Sequence, residues 1–104
     1  MMTPEQHKQF VAILDTAADL TIATVRPDGY PQATSVSFVN DGAKIYFGTW
    51  SKSQKAKNIA ACDKVSVTVG LPYANWSDIR GVSLGGRAHF VRDEAEIARV
   101  GALM

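Results

Sequence analysis

The chain contains a single cysteine, Cys62, so no disulfide can form within it. That fits a reducing compartment, and a cytoplasmic location is the expectation. No stretch approaches the roughly 18 consecutive apolar residues that a membrane-spanning helix needs. The opening residues MMTPEQHKQF lack the basic-then-apolar order of a secretory leader. A formal charge of +1 gives no global attraction to nucleic acid or to acidic membranes, so neither partner is expected. His7 and His89 are the only histidines, and with one cysteine and no HExxH or CxxC pattern no metal site is expected. A GxSxG elbow, a Walker loop and a GxGxxG turn are also missing, which leaves serine hydrolysis, nucleotide hydrolysis and a Rossmann cofactor site without support. Cys62 reads as a small buried apolar group. No general acid, base or nucleophile stands out, and no catalytic residue is assigned.

What remains is a chain of 104 residues, 46% hydrophobic and 20% charged, enough for one domain with a modest core. Thr3-Pro4-Glu5-Gln6 carries a capping threonine, a first-turn proline and a box-closing glutamine; Phe10, Ile13, Leu14 and Ala17 follow at helical spacing. Leu20–Val25 alternates as a strand. Arg26-Pro27-Asp28-Gly29 makes a tight turn, and Gln32–Val39 returns as the second strand of a hairpin. Asn40-Asp41-Gly42 turns the chain into a strand over Lys44–Gly48, and a short helix lies near Lys52–Ala61. Lys64–Val69 is a strand with Val65, Val67 and Val69 on one face. Leu71–Arg80 reads as a loop with aromatic anchors, and Val82–Arg92 as a long strand broken by a bulge at Gly85-Gly86. Asp93-Glu94-Ala95-Glu96 starts a last helix by capping-box logic, with Ile97 and Val100 inward. That helix meets no stop signal before Met104, so the expectation is a chain that ends inside an element. Without βαβ alternation, this order predicts a mainly β fold: an antiparallel barrel with peripheral helices.

The functional signal lies in Tyr46–Val69. Thr49, Ser51, Lys52, Ser53, Lys55 and Lys57 crowd around the start of the short helix, and no carboxylate occurs between Asp41 and Asp63. Ser51 could simply cap the helix with Gln54 completing the box, the lysines then forming a solvated face. Lysines near a helix N-terminus nevertheless oppose its dipole unless an anion compensates them. A phosphate-bearing ligand is therefore the favoured guest. Hydroxyls on Thr34, Ser35 and Ser37, with Val36 between them, suit either a solvated sheet face or the polar edge of a planar ring. Trp50 and Trp76 are large apolar bodies suited to a core, an interface or a ligand rim; Trp76 has Arg80 nearby.

Three segments, ATVRPDGYPQATSVSFV, DGAKIYFGTWSKSQKAKNIAACDKVSVTV and IRGVSLGGRAHFV, resemble in order the core of the pyridoxamine 5′-phosphate oxidase-like, FMN-binding split-barrel family. The likeness spans roughly Leu20 to Arg92, and its most specific part is the strand–GT–x₃–S–x–K–A–x–N–I helix followed by KVSVTV. It implies a six-stranded split barrel that dimerises, with flavin in the clefts between subunits. It also implies that Thr34–Ser37 borders the flavin ring and that Thr49, Ser53 and Lys55 hold the phosphate and ribityl tail. Lys52 would add a contact, Trp50 sits beside Thr49 in the same set, and Trp76 and Arg80 fall where a partner subunit closes over the cofactor. Ser53-Gln54-Lys55 stands where pyridoxamine phosphate oxidases resemble Ser-Arg-Lys, and Phe38 or its neighbours stand where they carry a basic residue in the second strand. The sequence is more similar to the small general-stress-protein-like members. The expectation is an FMN-binding oxidoreductase of unknown substrate. The alternatives are the same fold with deazaflavin F420, a flavin-binding module without turnover, a nucleic-acid-binding module, and haem, for which no histidine is placed by the sequence.

Overall fold

The computed structural model describes residues 2–104, with three α-helices and six strands. Helix α1 spans Pro4–Thr16, and its start is the reciprocal box read from the sequence. The Gln6 N–H donates to Thr3 Oγ1 at 3.1 Å, and the Thr3 N–H donates to Gln6 Oε1 at 2.9 Å. Strands β1 (Asp19–Val25) and β2 (Pro31–Ser37) pair antiparallel across the Arg26–Gly29 turn. Gly29 takes φ +87°, and Asp28 Oδ1 accepts the Tyr30 N–H at 3.0 Å. That bond, with nearby Arg26, holds the Asp28 carboxyl below its usual range.

The second strand stops at Ser37 rather than Val39. Phe38 breaks the ladder, and Val39–Asp41 forms a separate strand β3 that pairs only with β4, Lys44–Tyr46. Gly42 turns this hairpin at φ +59°. Helix α2 covers Gln54–Ala61, strand β5 Lys64–Gly70, strand β6 Gly81–Arg87 and helix α3 Glu94–Leu103. Residues 71–80 form the loop expected, with one short 3₁₀ turn at Trp76–Asp78.

Two sheets result: a four-stranded antiparallel sheet in the order β2-β1-β5-β6, and the β3–β4 hairpin. Alternation places Leu20, Ile22, Val67 and Val69 on one face, where they pack against Phe10, Ile13 and Leu14 of α1. Helix α2 lies on the same face, against β1. The opposite face carries Thr21, Ala23, Ser35, Ser37, Ser66, Thr68, Ser83 and Gly85, and no described element covers it.

Three expectations need correction. The fold is not mainly β: helix and strand occupy equal shares, and β2 and β6 remain edges, so the described sheet is mixed with helices and not closed. Gly85 and Gly86 make no bulge. They pair in unbroken register with Ser66 and Val65: Gly85 lies on the uncovered face, and Gly86 lies on the covered face at the cavity wall, so neither needs a kink to be accommodated. Helix α3 buries none of its residues, and Ile97 is 51% exposed, since the side of α3 that turns inward meets a cavity rather than packed side chains. Its start is also not a reciprocal box. Asp93 accepts the Glu96 N–H, but the Glu96 carboxylate instead accepts the Tyr46 hydroxyl at 2.8 Å.

Gly81 is the one glycine whose size the packing dictates. A Cβ there would lie 2.8 Å from the Val69 carbonyl oxygen, a backbone atom that cannot step aside. Gly81→Ala should cost about 1–3 kcal/mol by overpacking. Gly101→Ala, on a helix and facing open space, should instead gain up to about 1 kcal/mol. Chemical denaturation of the two variants checks the opposite signs.

Candidate functional site

The corner where β4 hands over to α2 is built by short-range chemistry. The chain leaves the sheet at Tyr46, passes through Phe47–Lys52 and turns at Ser53, whose N–H donates to the Trp50 carbonyl at 2.9 Å. Ser53, not Ser51, is the N-cap. Its Oγ accepts the Ala56 N–H at 3.1 Å and lies 3.0 Å from Thr49 Oγ1. Whichever of these two hydroxyls donates to the other, the pair keeps one O–H proton for a ligand. Gln54 and Lys55 follow in the first turn, and no acceptor among the described residues meets their backbone N–H groups. No acidic residue lies in that turn.

The lysines are not equivalent. Lys55 is half-buried in the first turn, whereas Lys52 and Lys57 are exposed. A hydroxyl proton, two unmet N–H groups and the Lys55 ammonium form a donor set without an acceptor charge, and Gly48 leaves open space beside it. Such a set suits an oxyanion carrying two negative charges.

The remaining candidates are divided by the fold. Thr34 and Val36 pair with Ile22 and Leu20 on the covered face, while Ser35 and Ser37 project from the uncovered one. The four therefore cannot border one ring with their side chains. Their strand β2 is a sheet edge, however, so alternate backbone N–H and C=O groups along it have no strand partner. Trp50 is 71% exposed beside Thr49, and Trp76 is 88% exposed. Trp76 and Arg80 sit on the β5–β6 loop, at the Asp19–Ser37 end of the sheet. The α2 helix is anchored nearer the other end, by Asn58, which donates to Thr24 Oγ1 and Gln32 Oε1 at 3.0 Å each. Within one chain the Trp76 loop and the anchor of α2 are thus at separate ends of the sheet.

The structure adds two features the residues had not signalled. One is a buried amide cluster, Gln54–Asn58–Gln32–Thr24, in which Asn58 is wholly buried. Its traces in the sequence were a polar residue between the buried Ala56 and Ile59, and the asparagine position of the GT–x₃–S–x–K–A–x–N–I motif, to which no role was given. The other is an open cavity of about 690 Å³ between the covered sheet face, β4 and α3, lined by Leu20, Val67, Leu84, Phe47, Val100 and also His89. Thr49 and Ser51 of the corner share its wall. Tyr46, Glu96 and Arg99 brace it: the Arg99 guanidinium lies 3.6 Å from Asp41 and 3.8 Å from Glu96, and it is held protonated more firmly than usual by the Tyr46 hydroxyl and these carboxylates. Cys62 is half-buried at the α2 C-cap rather than fully enclosed. No group of three metal-ligating side chains comes together among the described residues, and no helix among them is long and apolar enough to cross a membrane.

The family model described as pyridoxamine 5′-phosphate oxidase matches residues 4–104. The chain belongs to that family. Among solved structures it is similar to the conserved hypothetical protein Rv2991 from Mycobacterium tuberculosis, with 30% identity, a TM-score of 0.82, and 99% of this chain and 62% of that one covered. It is similar to a heme binding protein from Mycobacterium smegmatis at 21% identity and TM-score 0.84, covering 99% of this chain and 43% of that one. General Stress Protein 26 from Bacillus anthracis str. Sterne follows at 19% identity and TM-score 0.74, covering 89% and 68%. The last two likenesses concern the fold alone. The chain spans less than two thirds of the length of the first two structures. No curated protein sequence matches it.

Proposed function

We propose that this member of the family is an FMN-binding split-barrel protein that works as a homodimer and serves as an oxidoreductase. The observation that carries the reading is the corner: the Thr49–Ser53 hydroxyl pair, the free first-turn N–H groups and half-buried Lys55, with no carboxylate beside them. These groups would neutralise and orient the phosphate of the cofactor, with Lys52 and Trp50 at its exposed rim. The edge backbone of β2, with Ser35 and Ser37, would fix the polar border of the ring, while Thr34 and Val36 contribute backbone only. A second copy would pack near the uncovered sheet face and bring its Trp76 and Arg80 over the cofactor. The exposure of Trp76 supports this, since the same loop also exposes Tyr73 and Ile79, and several large apolar side chains exposed on one segment mark an interaction surface. Bound FMN supplies hydride transfer at its ring. The protein's own part is to hold the tail, orient the ring and limit access of water, and no side chain is assigned a proton.

Titration of the purified protein with FMN and with riboflavin, followed by flavin fluorescence, tests the site. Charge-assisted hydrogen bonds to the phosphate should make FMN bind roughly tenfold or more tightly than riboflavin. Equal affinities, or no binding of FMN, would overturn the reading. The absorption spectrum of the purified protein separates FMN from deazaflavin F420, which the same corner would hold by its phosphate.

One observation favours a second reading. His89, itself exposed, lies on the wall of the open apolar cavity, a placement from which its imidazole would hold a haem iron. A Soret band that appears with added haemin and is lost in His89→Ala would favour it over the flavin site.

A further inference from the structure

We propose that Asn58 is the positioning residue of the phosphate corner, joining the head of α2 to the strand that borders the ring. The inference rests on the corner reading given above. Helix α2 has eight residues, and only Ala56, Asn58 and Ile59 are buried in it. Two apolar side chains hold a short helix against a sheet without fixing how far it slides or rolls, because burial is not directional. A slide of one residue moves the helix head by about 1.5 Å, enough to misplace a phosphate contact.

The Asn58 amide removes that freedom. Its nitrogen donates to Thr24 Oγ1 on β1 and to Gln32 Oε1 on β2, both at 3.0 Å, and its oxygen accepts Gln54 Nε2 at 2.8 Å. Each bond has a preferred direction, and three of them from one planar group leave little room to rotate. The third bond decides the role. Gln54 is the first residue of α2, and its backbone N–H is one of the two unmet donors. Gln32 lies on the same strand as Thr34–Ser37. One buried amide therefore sets both halves of the proposed cofactor site relative to each other. Asn58 does not itself touch the corner; it acts through Gln54 and Gln32.

The test compares the affinity of folded protein for riboflavin and for FMN in the wild type, Asn58→Ala and Gln32→Ala, together with thermal melts. Leu14→Ala serves as a control that loses stability far from α2. Positioning by Asn58 predicts that riboflavin affinity stays nearly constant while FMN affinity falls about tenfold or more, so the FMN preference largely vanishes, in Asn58→Ala and in part in Gln32→Ala. Leu14→Ala should keep the full preference at a lower melting temperature. A purely structural role would lower the melting temperature of the Asn58 variant and leave the preference intact, which would overturn the inference alone. A wild type with no preference for FMN would remove the corner reading and this inference with it. If Asn58→Ala does not fold, Gln32→Ala decides, since it removes only one of the three bonds at a partly exposed edge strand.

Discussion

Lys55→Ala is expected to weaken FMN binding roughly ten- to hundredfold, with riboflavin binding nearly unchanged. Lys55 is the half-buried ammonium in the first turn of α2, where two N–H groups lack acceptors and no acidic residue offsets the charge. The same substitution should leave the free protein slightly more stable, by about 0.3 kcal/mol, because a cation near a helix N-terminus opposes the dipole. Affinity and stability moving in opposite directions would separate a ligand-binding lysine from a merely structural one. Lys57→Ala, on the exposed side of the same helix, should change FMN affinity far less. Fluorescence titration at two salt concentrations checks this, since the Lys55 contribution should shrink as salt screens it. Equal losses for both variants would mean that the lysines act as a diffuse positive field and that the corner has no defined phosphate contact.

Leu14→Ala is expected to lower the unfolding free energy by about 2–5 kcal/mol. Leu14 is 1% exposed and sits where α1 meets Leu20, Ile22, Val67 and Val69. A domain of this size has a total stability on the order of 5–15 kcal/mol, so the variant should lose a large share of it. Urea denaturation should show the loss as a lower midpoint with little change in slope. Gln9→Ala, exposed on the same helix, should stay within about 0.5 kcal/mol of the wild type. A loss below about 1 kcal/mol for Leu14 would show that α1 is not the lid of this core.

Much of the fold was legible because short-range rules were enough. Thr3 and Gln6 closed their box, Phe10, Ile13 and Leu14 turned inward, and Val67 and Val69 took the covered face. The misreadings arose where two outcomes share one local pattern. Gly85-Gly86 serves a bulge or an unbroken strand equally well, and only pairing with Ser66 and Val65 chose between them. Ser51 and Ser53 were both acceptable caps; the turn closed by the Trp50 carbonyl gave the role to Ser53. Glu96 could have reached back to its own helix start, but Tyr46 was nearer once α3 lay beside the hairpin.

The sequence by itself determined the family, the lysine-rich turn free of carboxylates and the order of most elements, because motif, charge and hydrophobic period are local properties of the chain. The tertiary structure alone decided which serines share a face, that Lys55 rather than Lys57 is sheltered, that His89 reaches a cavity, and that Asn58 holds α2 to β1 and β2. Those outcomes depend on strand register and helix docking, which join residues distant in the chain, 34 positions apart in the Asn58–Thr24 bond and 50 in the Tyr46–Glu96 bond. No local pattern encodes a contact of that span.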